Sequence, residues 1–173
     1  FLLGVISIFA QFSSSGGTFD YYAKSHAIRF CFFFILFLSV SFTPIRFWHS
    51  TSFLIFMLLA LLLLIVKFYG IQSQGSRRWV NLFVINLQPS ELMKIGIILF
   101  LSNYYHKISE GDVNKVRFLL YPVISIMAPF ILVLSQPDLG TAILILLSGI
   151  VVTWLAGVRW KIFAYLSLIS IVL

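Results

Sequence analysis

The sequence has few charged residues, and this scarcity decides its class. Only 10% of its 173 residues are charged, whereas 61% are hydrophobic. Soluble domains average about 25% charged and about 45–50% apolar residues, so the composition excludes an ordinary soluble domain and indicates an integral membrane protein. Acidic residues are scarcest, with five Asp and Glu against twelve Lys and Arg. Because the basic residues lie between apolar runs, we expect membrane lipid as their counterpart, and no nucleic acid.

Cysteine and familiar catalytic motifs are also scarce. The single cysteine, Cys31, can form no disulfide within the chain. The sequence contains no P-loop, no glycine-rich nucleotide fingerprint and no Ser-His-Asp arrangement. The three histidines stand at the edges of predicted loops without metal-ligand spacing, so we predict no metal site; they are His26, His49 and His106. No cofactor is assigned, and a requirement for a divalent cation is left open.

Long apolar runs fill most of the chain. A helix needs about 20 apolar residues to cross a bilayer, and we find seven candidate runs, the first and last of them cut short. They cover about residues 1–12, 28–42, 51–69, 88–106, 118–134, 139–156 and 162–173. We predict an all-α, polytopic transmembrane helical bundle, a single membrane domain over residues 1–173 with about seven membrane segments. Because the chain starts and stops inside apolar runs, we interpret it as an N-terminal fragment.

Counting the membrane crossings assigns the polar connectors to the two sides of the bilayer. The fourth and sixth runs are separated by one run, so their N-termini face the same side. The loops at 44–49, 107–117 and 157–161 hold six basic residues, and the opposite loops hold four. By the positive-inside rule, this small excess indicates that the first set is cytoplasmic. We therefore predict a cytoplasmic loop at about 106–117 and an external connector at about 71–87.

Two predicted helix starts share one design. Residues 88–91 and 136–138 each combine Gln-Pro with a carboxylate, Glu91 or Asp138. Proline suits the first turn of a helix because its missing N–H would be unpaired there. For each carboxylate, helix capping and a functional role are equally good explanations. Glu91 also shares a helix face with Lys94, and both a structural ion pair and the wall of a substrate cavity fit that spacing.

Two arginines and a tryptophan stand together at a membrane edge. Arg77 and Arg78 fit either anchoring to lipid head groups or recognition of a diphosphate, whose oxygens guanidinium groups bind in bidentate fashion. Two helix N-termini on the same side would add N–H donors to such a site. Trp79 fits either an interfacial belt or a surface on which a sugar or a polyprenyl chain packs.

At these residues the chain resembles the SEDS family (shape, elongation, division and sporulation), which includes RodA, FtsW and SpoVE. The resemblance is carried by GSRRWVNLFVINLQPSELMKIGIILFLS at 75–102 and LSQPDLGTAILILLSGIVVTWLAG at 134–157, in order, spacing and membrane context. Leu139 after the aspartate resembles the RodA branch, since Phe is usual there in FtsW. Ser76 and Met93 depart from the family pattern, in which Ala is commoner at both positions.

The resemblance implies a roughly ten-helix protein of the bacterial cytoplasmic (inner) membrane. It implies polymerisation of glycan strands at the outer face from lipid II, an undecaprenyl-pyrophosphate-linked disaccharide peptide, during cell elongation. It also implies a class B penicillin-binding protein as partner. The family's essential aspartate would follow Leu173, so the catalytic residue is unknown, Glu91 and Asp138 are candidate assistants, and the fragment alone is expected to be inactive. The predicted substrate-binding residues are Arg77, Arg78, Trp79, Gln88, Glu91, Lys94, Gln136 and Asp138.

Two other functions remain as alternatives at this stage. A lipid II flippase would also need inward-facing charges at membrane depth, and Glu91 and Lys94 would supply them. A non-catalytic scaffold for cell-wall enzymes would need the same membrane bundle and no reaction site.

Overall fold

The computed structural model describes residues 1–17, 20–73, 76–81, 86–109 and 111–163. These residues form six principal helices and three short strands. Three of the helices are long and apolar enough to cross a membrane: Tyr21–Phe42, Ile45–Tyr69 and Val116–Leu134. In chain order the elements are α1 (Leu2–Ser14), α2 (Tyr21–Phe42), α3 (Ile45–Tyr69), β1 (Ile71–Ser73), β2 (Ser76–Asn81), β3 (Asn86–Leu87), α4 (Pro89–His106), α5 (Val116–Leu134) and α6 (Leu139–Leu155).

The predicted helical membrane bundle is confirmed, and the connector after α3 adds a small sheet that the sequence did not predict. Of the seventh run, only residues up to 163 are described. The chain divides into two compact units, Phe1–Phe47 and Trp48–Leu173. We describe each unit by itself.

Two helices begin earlier than their apolar runs. Helix α2 starts at Tyr21 rather than near residue 28, and α3 starts at Ile45 rather than near residue 51. The polar residues that suggested loops lie in the first turns of these helices, where an end that leaves the bilayer tolerates them. Asp20 caps α2 by accepting a hydrogen bond from the Tyr21 N–H at 2.6 Å.

The first unit contains α1 and α2, which meet through a polar contact and a group of aromatic rings. Ser7 Oγ lies 2.7 Å from His26 Nε2. The rings of Phe1, Phe30 and Phe34 pack with centroid distances of 5.5 to 6.5 Å.

The second unit is built around α6, which packs against both α4 and α5. Close approach is possible because a glycine stands at the crossing: a Cβ on Gly149 would lie 2.5 Å from the Cγ1 of Ile126 in α5. Small residues at helix contacts are typical of membrane bundles. The core of the unit is apolar and includes Phe56, Leu63, Met93, Ile97, Leu101, Val133, Ala142 and Ile145.

The polar connector lies at the end of α3. That helix stops at Gly70, where any side chain would meet the Val66 carbonyl oxygen at 2.4 Å. The strands that follow pair antiparallel in the order β1-β2-β3, with Gln72 opposite Arg77 and Val80 opposite Leu87. The described parts of the connector, residues 71–73, 76–81 and 86–87, therefore form a sheet that leads into α4.

The loops at the other end of the unit are joined by one side chain. Asn114 Oδ1 accepts a hydrogen bond from the Arg159 N–H at 2.8 Å, and Asn114 Nδ2 donates to the Gly157 carbonyl at 3.4 Å. The loop between α4 and α5 and the turn after α6 thus share one end of the bundle, as the count of membrane crossings predicted.

Candidate functional site

Asp138 joins the N-termini of α4 and α6. It is the N-cap residue of α6, and its Oδ1 accepts a hydrogen bond from the Thr141 N–H at 3.2 Å. Its Oδ2 accepts a second bond, at 2.9 Å, from the Nε2 of Gln88, the N-cap residue of α4. The sequence predicted only that the two helix starts face the same side of the membrane, and in the structure one carboxylate links them directly.

Arg78 holds the connector against the turn between α5 and α6. Its Nε donates to the Gln136 carbonyl at 3.0 Å and its Nη2 to the Pro137 carbonyl at 2.7 Å. Its Nη1 lies 3.6 Å from Asp138 Oδ2. Both carbonyls belong to the turn that follows Ser135, the C-cap residue of α5. Arg78 therefore holds this turn while it faces the cap of α6, and part of its five-donor guanidinium is already occupied.

Gln136 attaches the turn between α5 and α6 to α3. The residue is buried, and its Nε2 donates to the Leu63 carbonyl of α3 at 3.3 Å. A buried polar group needs such a partner, because leaving it unpaired costs about 1–3 kcal/mol. The turn at 135–138 is thus attached to α3 through Gln136, to α4 through Gln88 and to the connector through Arg78.

Glu91 and Lys94 form an ion pair on α4. Lys94 Nζ donates to Glu91 Oε2 at 2.9 Å, and the Glu91 side chain is 53% exposed while that of Lys94 is 22% exposed. The capping interpretation of Glu91 is wrong in one respect: its carboxylate pairs with Lys94 instead of reaching back to Gln88. Among the predicted site residues whose side chains the structure describes, Glu91 is the most exposed.

The remaining predicted residues lie on the sheet. Trp79 stands opposite Ile71 in the β1-β2 pairing and is half-buried. Arg77 neighbours Arg78 in β2, and its side chain lies outside the described residues. Among the residues that the structure describes, no group of three His, Cys, Asp or Glu side chains could hold a metal ion.

A second polar cluster, which the sequence did not predict, joins the first turns of α3 to the last turns of α4. Asn103 Nδ2 donates to Ser52 Oγ at 2.6 Å and to the His49 carbonyl at 2.9 Å, and His49 Nδ1 lies 3.1 Å from Asn103 Oδ1. The His106 ring lies 5.0 Å from the His49 ring. The prediction that the histidines lie at loop edges is wrong for His26 and His49, which are inside helices. Polar residues three apart in apolar helices were the available signal.

Comparison with known proteins identifies the family. The family of cell cycle proteins that comprises FtsW, RodA and SpoVE matches residues 1–173 of this chain. The chain belongs to this family. It is therefore a SEDS protein, and with its candidate spans it is a multi-pass membrane protein.

Curated relatives are named as peptidoglycan glycosyltransferases. The chain is 37% identical over 141 residues to the probable peptidoglycan glycosyltransferase FtsW of Buchnera aphidicola subsp. Baizongia pistaciae, covering 82% of this chain and 36% of that protein. It is 32% identical over 120 residues to the peptidoglycan glycosyltransferase MrdB of Escherichia coli K12, covering 69% and 32%. The chain thus spans about a third of these relatives. The expected preference for the RodA branch is not confirmed, because the FtsW match has the higher identity and coverage.

Solved structures share the fold. The chain superposes on RodA of Thermus thermophilus with a TM-score of 0.75 at 23% identity, over 99% of this chain and 57% of that chain. It superposes with a TM-score of 0.78 at 24% identity on a chain from a peptidoglycan synthase complex that coordinates polymerization and crosslinking, over 99% and 51%. The helical arrangement described above is therefore the SEDS arrangement.

Proposed function

We propose that this SEDS protein polymerises glycan strands from lipid II at the outer face of the bacterial cytoplasmic membrane. The observation that carries the proposal is the Gln88–Asp138 hydrogen bond, which brings two helix N-termini together beside Arg78. A helix N-terminus favours anions through its free N–H groups and its dipole. The chemical counterpart of that arrangement is the pyrophosphate of a lipid-linked donor, and the family membership supports the same substrate.

The residues of the site divide into two groups in this proposal. Arg78, Asp138 and Gln136 hold the helix ends in place, because their polar atoms are already bonded to the protein. Lys94 and Arg77 supply the positive charge that stabilises the leaving pyrophosphate, as preorganised cations do in phosphate-ester chemistry. Trp79 and Glu91 complete the surface on which the head group lies.

The reaction also needs a base that takes the proton from the acceptor hydroxyl. Glu91 is the candidate assistant, because its carboxylate is exposed and lies on the same helix as Lys94. Asp138 is less suited to this role than the sequence suggested, since each of its oxygens already accepts a hydrogen bond. No residue of this chain is assigned as the principal base.

The proposed partner, which crosslinks the glycan strands, is a class B penicillin-binding protein.

Polymerisation of lipid II by the purified protein, expressed from its complete gene, tests the proposal. We expect Lys94→Ala and Glu91→Ala to shorten or abolish glycan chains with little change in thermal stability. Arg78→Ala is expected to lose activity together with stability, because it also holds the helix ends. Glycan chains of normal length and amount from all three variants would overturn the site assignment.

Transport of lipid II is the second candidate function, and the Lys94–Glu91 ion pair near the start of the apolar helix α4 favours it. Translocation of fluorescent lipid II in vesicles separates the two functions. Transport without polymerisation would favour the flippase. If the motif variants kept partner binding and cell shape, a scaffold would be the better explanation.

A further inference from the structure

A cleft with two cations opens at the end of the bundle opposite to the candidate site. It has a volume of about 360 Å³ and lies where α4 ends and α5 begins. Small-molecule sites commonly range from about 300 to 1,000 Å³, so the cleft fits a compact head group. Its lining residues are Tyr104, Lys107, Ile108, Arg117, Phe118 and Tyr121.

The lining of the cleft is basic among the residues that the structure describes. Lys107 and Arg117 are both exposed, and none of the lining residues is acidic. The carboxylate of Asp112, in the same loop, is paired with Lys115, and the positive charge of Arg117 also helps to lower its pKa. An anionic ligand in the cleft would form charge-assisted hydrogen bonds with both cations.

The wall of the cleft is aromatic and rigid. Tyr104 Oη donates to the Phe118 carbonyl at 3.0 Å, which joins α4 to the first turn of α5. The Tyr104 and Tyr121 ring centroids are 6.1 Å apart, and Arg117 Cζ lies 4.9 Å from the centre of the Phe118 ring. Stacking on Phe118 holds the guanidinium in place, so its donors are partly preorganised.

An apolar surface continues from the cleft along α5. Arg117, Tyr121 and Ile124 are spaced three or four residues apart and share one helix face, and all three are exposed. Such a face fits the acyl chain of a lipid, and the two cations stand at its end, beside the cleft.

The same end of the bundle holds the other basic loop residues. Asn114 ties the α4–α5 loop to the turn that carries Arg159 and Lys161. Basic loops mark the cytoplasmic side, where the leaflet is rich in anionic lipid, and basic pockets between helices on that side bind acidic head groups.

We propose that this cleft binds an anionic phospholipid of the cytoplasmic leaflet. Lys107 and Arg117 hold the phosphate, and the acyl chain runs along Tyr121 and Ile124. An acidic peptide is disfavoured because the exposed surface that continues from the cleft is apolar. The proposal does not depend on the glycosyltransferase activity.

Native mass spectrometry of the detergent-purified protein with phosphatidylglycerol or phosphatidylcholine tests the proposal. We expect a preference for phosphatidylglycerol and, for Lys107→Gln/Arg117→Gln, an affinity that is weaker by about thirtyfold. That factor corresponds to about 1 kcal/mol for each basic residue near an anionic surface. The matched control is Arg159→Gln/Lys161→Gln, which removes the same charge from the same end, and we expect less than a threefold loss.

Three results would overturn the proposal. Equal losses in the two double variants would indicate a diffuse surface attraction. Equal binding of phosphatidylcholine would show that the head-group charge is not recognised. Displacement of the lipid by inorganic phosphate, or by an acidic peptide, at concentrations that leave wild-type folding intact would identify a soluble ligand instead. Unchanged melting temperatures, which we expect because all four side chains are exposed, exclude misfolding as the cause of a loss.

Discussion

Substitution of Asp138 measures how strongly the two helix N-termini are joined. Its side chain is 12% exposed and makes three contacts: a cap bond to the Thr141 N–H, a bond from Gln88 Nε2 and an ion pair with Arg78. Asp138→Ala removes all three contacts. Asp138→Asn keeps the size and the capping oxygen, because Asn is as good an N-cap as Asp, but it removes the charge.

The expected cost follows from these contacts. Loss of an N-cap typically costs about 1 kcal/mol, and loss of the bond from Gln88 about 1 kcal/mol more. The ion pair adds less than about 1 kcal/mol, because the Arg78 side chain is 28% exposed and solvent screens it. Asp138→Ala should therefore lower the free energy of unfolding by roughly 2–3 kcal/mol, and Asp138→Asn by about 1 kcal/mol.

Thermal unfolding in detergent, followed by intrinsic tryptophan fluorescence, measures this effect. For a chain of about this length, 1 kcal/mol shifts the melting temperature by roughly 2–4 °C, so Asp138→Ala should unfold roughly 4–12 °C below wild type. Asp20→Ala, which removes a more exposed cap, is the matched control and should cost no more than about 1 kcal/mol. Gln88→Ala should add little in the Asp138→Ala background, because contacting residues are not additive. A melting temperature for Asp138→Ala equal to that of wild type would refute the reasoning.

Two further predictions concern other parts of the second unit. Gly149→Ala should lower the free energy of unfolding by about 1–3 kcal/mol, because its Cβ would lie 2.5 Å from Ile126. The control is Gly140→Ala, whose Cβ would have nothing within 4 Å and which should be neutral or stabilising. Thermal unfolding in detergent measures both variants. The hydrogen bond and charge of Lys115 lower the pKa of Asp112 below 3.8, so the pair stabilises the loop above pH 3.8 and loses this effect as the pH falls through the lowered pKa. Lys115→Gln should raise the Asp112 pKa toward 3.8 in an NMR titration, and an unchanged pKa would contradict the assignment of the cause.

The sequence predicted the helices well because hydrophobic runs and Gln-Pro starts are local signals. Proline at the start of α4 and Asp138 at the start of α6 lie where the pattern placed them. The beginnings of α2 and α3 were wrong because polar residues in a first turn look like loop residues when only hydropathy is considered.

The role of Arg78 could not be predicted from the sequence. Its acceptors are backbone carbonyls 58 and 59 residues away, and no residue type marks a carbonyl as an acceptor. Two adjacent arginines at a membrane edge suggested a shared ligand, whereas Arg78 donates its hydrogen bonds to carbonyls of the protein. The hydrogen bonds of Asn103 were not predicted for a related reason, since its partners are 51 and 54 residues away.

The affinity of the purified protein for undecaprenyl pyrophosphate is the measurement that tests the central claim most directly. Lys94→Gln and Arg77→Gln should each weaken binding by about tenfold, the effect of one charge-assisted contact of about 1.4 kcal/mol. Lys67→Gln is the control, because it removes a basic residue from the last turn of α3, beside the same connector, and it should bind as wild type does. Equal affinities of all three variants and wild type would contradict the assignment of this end of the bundle to the pyrophosphate.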